Sequence, residues 1–248
     1  MPANMTARAR IVAGVRGVSL FDRTAMTGEK RPYTMRLRAE QEARTRLRIT
    51  ESAVALHESL GPARTSVSAL AERAGVRRST VYRHFPTDAD LLAACSAHWA
   101  AAHPVPELEA WAAVRDPDER LRRALDDLYA FYRATRRMMD NLVRDAQTDE
   151  LVAQQFGPFA DYLAAAQGVL MTGRRARGAA RERVRAAVGH ALAYPTWRSL
   201  AVDQALGDAG AADLMGRLVA AAGGQESPRR AARRVGSRRS PASGGDRP

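Results

Sequence analysis

The run Ser66-Val67-Ser68-Ala69-Leu70-Ala71-Glu72-Arg73-Ala74-Gly75-Val76-Arg77-Arg78-Ser79-Thr80-Val81-Tyr82-Arg83-His84-Phe85 decides how this chain is read. Ser66 is an N-cap residue type, and Val67, Leu70, Ala71 and Ala74 follow at the spacing of one helix face. Gly75 stops that helix, because glycine alone enters the left-handed turn region at no steric cost. A second short helix is predicted from Arg78 to His84, ended by Pro86. Two short helices around a glycine turn have the dimensions of a helix-turn-helix, whose second helix enters the DNA major groove by its N-terminal residues. Here those are Arg77, Arg78, Ser79 and Thr80, and an arginine can hold guanine O6 and N7 with two parallel hydrogen bonds. Val76, Val81 and Phe85 stand where apolar side chains would lock this helix onto an earlier one.

That earlier helix is predicted from Ile49, Ala53, Leu56 and Leu60, stopped by Gly61-Pro62. On the other side, Thr87 and Asp90 have capping-box spacing before a helix carrying Leu91, Leu92, Cys95 and Trp99, which ends by Pro104.

The run closely resembles the N-terminal domain of the tetracycline-repressor (TetR/AcrR) family of bacterial transcription regulators. Ala74-Gly75-Val76, then Tyr82-Arg83-His84-Phe85, then Leu91-Leu92 carry the resemblance, which is strong over about 45 to 95. It implies a homodimer with a DNA-binding head and a helical effector-binding body. It also implies phosphate contacts from Tyr82 and His84 and from the helix start at Thr65 and Ser66. The chain departs from the pattern at Asp88, where the family usually has a phosphate-binding lysine, so affinity is expected to lean on Arg83, Arg64 or the N-terminal arm.

Beyond residue 100 only the helical pattern remains. Leu121, Leu125, Leu128, Tyr132, Thr135, Met139 and Leu142 alternate spacings of four and three, predicting one long helix over about 118 to 145. Others are predicted from near Pro158 to Met171, over about 180 to 204 with a kink at Pro195, and from Gly207 onward. Phe131, Tyr132, Met138, Met139, Phe156, Phe159, Tyr162, Tyr194 and Trp197 are candidates to line an effector cavity between helices. The small and apolar residues Val184, Ala187, Val188, Ala191, Leu214 and Leu218 suit close packing, and in the resembled family the last two helices form the dimer's four-helix bundle.

The fold class expected is therefore all-α. Its parts are a disordered basic arm over 1–39, a homeodomain-like three-helix helix-turn-helix domain over 40–95, a helical effector-binding and dimerisation bundle over 96–222, and a disordered basic tail over 223–248. The formal charge of +12 sits at the ends: net +6 over 1–39 and +5 over 223–248. A basic total located there does not by itself establish nucleic-acid binding.

One cysteine, Cys95, excludes an internal disulfide and any multi-cysteine zinc site, pointing to a reducing cytoplasm. No run reaches the roughly 18 apolar residues of a membrane span, and no phosphate-binding loop, nucleophile elbow or zinc-protease motif occurs. Neither cofactor nor metal is expected, nor an enzyme. The partners expected are double-stranded operator DNA, a second copy of the chain and a small-molecule effector. The function expected is repression from a palindromic operator, relieved by the effector. The rival is an architectural DNA binder that uses the basic ends and responds to no effector.

Overall fold

The computed structural model describes residues 30–224, so the basic tail from residue 225 on and the first 29 residues lie outside them. Among the described residues the secondary structure is helical throughout. The helices are α1 (Lys30–Ser59), α2 (Val67–Ala74), α3 (Arg78–His84), α4 (Asp88–Ala102), α5 (Leu108–Ala112), α6 (Pro117–Asp145), α7 (Glu150–Met171), α8 (Gly178–Leu192), α9 (Tyr194–Trp197) and α10 (Gly207–Ala222). A 3-10 turn, Pro62–Arg64, precedes α2, and a π-helical stretch, Arg198–Asp203, follows α9.

The chain divides into two compact units, the first ending at Thr45 and the second beginning at Arg46. The first contains the opening turns of α1, where helix replaces the arm expected up to residue 39. Apolar periodicity is indeed missing there, and Tyr33 and Met35 are 64% and 66% exposed. The run Arg36 to Ala43 nevertheless consists of strong helix formers, with an Arg36–Glu40 pair at 2.9 Å. Propagating an existing helix needs no buried face.

In the second unit, buried apolar side chains gather in two clusters among the described residues. The smaller joins Ile49 and Ala53 of α1 to Leu70, Ala71 and Ala74 of α2, Val81 and Phe85 at α3, and Cys95 of α4. The larger is built on α6, whose Leu121, Leu125, Leu128 and Tyr132 meet α7, α8 and α10.

Polar groups lock the larger cluster at the points where helices break. Buried Arg120 donates to the carbonyls of Val114, Arg115, Val169 and Thr172, tying the α5–α6 connection to the end of α7. Pro195 ends α8 at Leu192 rather than kinking a continuous helix. A proline ring leaves carbonyls of the preceding turn without their donors. Tyr129 and Tyr132 supply them, donating to Ala191 O at 2.8 Å and Leu192 O at 2.6 Å. Helix α7 starts eight residues before Pro158, because the Asp149 carboxylate caps it by accepting from the backbone N–H of Leu151 and Val152.

Candidate nucleic-acid interface and effector cavity

Ser66 Oγ accepts from the N–H of Ala69 at 3.1 Å, which fixes the start of α2 and leaves the hydroxyl hydrogen free to donate. Gly75 sits at φ 62°, ψ 40°, and the N–H of Val76 returns to Ala71 O at 2.9 Å. This left-handed cap turns the chain into α3 within two residues. Val81 and Phe85 are buried against the first cluster, so the opposite face of α3 looks outward. Arg77, Arg78, Ser79, Tyr82 and Arg83 are exposed and Thr80 is half-buried. Thr65 is half-buried too, its hydroxyl donating to Gly61 O at 2.8 Å.

His84 departs from this surface. It is 8% exposed, and its carbonyl accepts from Arg46, whose guanidinium lies 4.1 Å from the Phe85 ring centroid. The ring's burial follows from its place on the inner side of the last turn of α3. Arg46 was not singled out in the sequence, because an arginine preceding an apolar stripe reads as a solvated face. Its charge beside the last carbonyls of α3 favours the helix end. Asp88 is exposed in the first turn of α4, which opens with the reciprocal Thr87–Asp90 capping box.

A cavity of about 620 Å³ lies between α1 and α4 on one side and α6 and α7 on the other. Of the aromatic and methionine candidates, Phe131, Met138, Met139, Phe156, Phe159 and Tyr162 are among its lining residues. Tyr132, Tyr194 and Trp197 are not in its lining. They belong to the packed core: Tyr132 caps α8, Tyr194 Oη donates to Asp140 at 2.6 Å, and Trp197 Nε1 donates to Asp208 at 2.8 Å.

Sequence reasoning missed the other wall, Val54 and His57 from α1 with Cys95 and Trp99 from α4 and His103 just after it. Trp99 stacks on His103 with ring centroids 4.6 Å apart. The hint was present in the aromatic and histidine residues at the end of α4, but nothing in the helical spacing placed them opposite α7. Burial lowers the His57 pKa from 6.5 to about 4, against the weaker pull of Asp145, and pushes the Cys95 thiol up to about 12. Both groups are therefore neutral near pH 7.

Beside this cavity, α6 is tied to the end of α1. Asn141 Nδ2 donates to the carbonyls of His57 and Glu58 at 2.9 and 3.0 Å, and Arg144 donates to Leu60 O at 2.8 Å. The Asp145 carboxylate accepts from Arg144 at 2.7 Å and from the N–H of Ala63 at 3.1 Å. Gly61, at φ 98°, fits under this cluster, where a Cβ would collide with Arg144 and Asp145.

The proposed packing face of the last helices is only partly available. Val184, Val188 and Ala191 are at most 2% exposed inside the chain's own core, because the inward stripe of α8 packs on α10. Ala187 is half-buried, whereas Leu214 and Leu218 are 42% and 44% exposed.

A helix-turn-helix head joined to a helical body defines a class of DNA-binding regulators. Residues 49–95 match the family model for the tetR family of bacterial regulatory proteins, so the chain carries that family's DNA-binding domain. Members of this family are transcription regulators rather than enzymes. No curated protein matches the chain. Among solved structures, a TetR-like transcriptional regulator from Rhodococcus sp. RHA1 is 22% identical, with a TM-score of 0.52 over 71% of this chain and 93% of that one. A TetR-family regulator from Thermus thermophilus is 20% identical, with a TM-score of 0.52 over 69% and 94%. A third from Mesorhizobium loti is 18% identical, with a TM-score of 0.50 over 73% and 97%. These three share the fold. Among the described residues, no helix is long and apolar enough to cross a membrane, and no cluster of three or more His, Cys, Asp or Glu is placed to hold a metal ion.

Proposed function

We propose that this TetR-family DNA-binding regulator acts as a dimeric repressor, released from a palindromic operator when a small molecule enters the cavity between α1, α4, α6 and α7. The observation that carries this reading is the cavity's position. Two of its walls belong to helices of the DNA-binding head, so an occupant touches the head directly. The α6 residues Asn141, Arg144 and Asp145 hold the end of α1 and the turn that leads to α2. Displacing α6 against α1 therefore moves the frame that carries α2 and α3. An effector acts only through its different affinity for the two arrangements. A cavity shared by head and body supplies that difference.

At the DNA, Arg77, Arg78, Ser79 and Thr80 read bases, while Ser66, Thr65, Tyr82 and Arg83 contact phosphates. The second protomer packs on the exposed side of α10. Leu214 and Leu218 are 42% and 44% exposed there, and with Gly210 and the 47% exposed cap residue Leu206 they fall at four-residue spacing. The test is run-off transcription from a template whose promoter overlaps a duplex enriched by this protein from a random pool. The wild type should suppress the transcript and the R77A/R78A double variant should not. Suppression by both, or an increase with the wild type, would contradict repression through α3.

A further inference from the structure

We infer that the occupant of this cavity is an uncharged, largely apolar small molecule, an inference that rests on reading the cavity as the effector site. None of the residues that line the cavity is an aspartate, glutamate, lysine or arginine, although 27% of the chain is charged. The solvent-facing part of the lining is Ala93, Ala97, Ala100, Pro104, Val105 and Pro158. An amphiphile that buried its tail would thus find no carboxylate, ammonium or guanidinium among the lining residues to pair with its head. Inside, Cys95 and His57 are held neutral by burial, and the Tyr162 hydroxyl donates to Pro106 O at 2.8 Å. An ion entering such a space loses most of its water and meets no fixed opposite charge. Ser96, His103, Gln155 and the Nε1–H of Trp99, unpaired among the described residues, offer it neutral polar contacts only, which serve a hydroxyl or carbonyl equally well.

Aromatic walls can attract cations through their ring faces. Here the rings pack on one another, with centroids 6.1 Å apart for Phe131 and Phe159, 5.3 Å for Phe156 and Phe159, and 5.9 Å for Phe159 and Tyr162. Faces spent on neighbouring rings do not form a box for an ammonium group. The volume lies within the roughly 300–1,000 Å³ of small-molecule sites.

Three probes of equal chain length separate the possibilities on the full-length protein at pH 8: 1-decanol, decanoate and decyltrimethylammonium, each followed by calorimetry below its aggregation concentration. The expected result is binding of 1-decanol, with the two ions at least about tenfold weaker. Gln155→Arg, which places a guanidinium in the lining, should then shift the decanoate-to-decanol ratio at least about tenfold toward decanoate. Ser96→Arg makes the same change from α4 should the first variant fail to fold. Equal or tighter binding of either ion by the wild type would overturn the uncharged class and leave the effector-site reading standing. No binding by any probe would overturn both, as would a ratio that neither arginine changes, because binding would then lie outside the cavity.

Discussion

Asn141 reaches from α6 to the carbonyl of His57 on α1 at 2.9 Å, and its second hydrogen goes to Glu58 at 3.0 Å. Its own carbonyl oxygen accepts from Arg144 at 2.8 Å, so one buried amide satisfies two orphan acceptors at a helix end and orders the arginine that holds a third. Replacing Asn141 by Ala should destabilise the fold by about 2 kcal/mol, since two carbonyls lose their donors. The reduction in urea midpoint measures this. If Asn141 also couples the cavity to the head, the variant's operator affinity should respond less to a cavity ligand than the wild type's. An unchanged response would confine Asn141 to stability.

His57 gives the fold an acid limit. Its folded pKa of about 4 lies below the unfolded 6.5, because burial opposes the charged ring. Between these values the unfolded state binds more protons, so stability rises with pH. The contribution is complete above pH 6.5 and is lost as the pH falls toward 4, a total of roughly 3 kcal/mol. Unfolding midpoints of wild type and His57→Gln measured from pH 7.5 to 4.5 check this. The wild type should lose stability more steeply, and parallel curves would remove His57 as the cause.

The head was legible because its signals are local. Ser66 as cap, Gly75 as left-handed turn and the Thr87–Asp90 box each act within a few residues, and the structure places all three in those roles. The body was legible only as helices. Val184, Val188 and Ala191 looked suited to a partner, but a small apolar stripe packs equally well on α10 of its own chain, and spacing cannot choose between them. The cavity's α4 wall escaped for the same reason, since Trp99 and His103 meet α7 residues only through the tertiary arrangement. Tyr132, Tyr194 and Trp197 were misplaced because spacing shows an aromatic face but not which hydroxyl or indole N–H finds a partner.

Arg78 is exposed at the first position of α3, where a bidentate contact to guanine can form. Arg78→Ala should weaken binding to the enriched duplex by about 1–3 kcal/mol and relax preference at one base pair per half-site. Fluorescence anisotropy against single-base variants of that duplex reads this out. Equal weakening on every sequence would make Arg78 a phosphate contact.

The burial pattern also selects the variants that test the dimer. Ala191→Glu would place a charge in the core and unfold the chain, whereas Leu214→Glu and Leu218→Glu change side chains already 42% and 44% exposed. Sedimentation should show the double variant as a monomer with an unchanged helical spectrum. A dimer of unaltered affinity would place the interface away from α10.

Whether the exposed face of α3 reads a DNA sequence is decided by the affinity ratio between the enriched duplex and a shuffled duplex of equal composition, at physiological salt. A sequence-specific regulator predicts a ratio of roughly 10³ or more, because base contacts add to a common phosphate term. A ratio within a few-fold, with both affinities falling equally as salt rises, would contradict it and identify an architectural DNA binder held by charge alone.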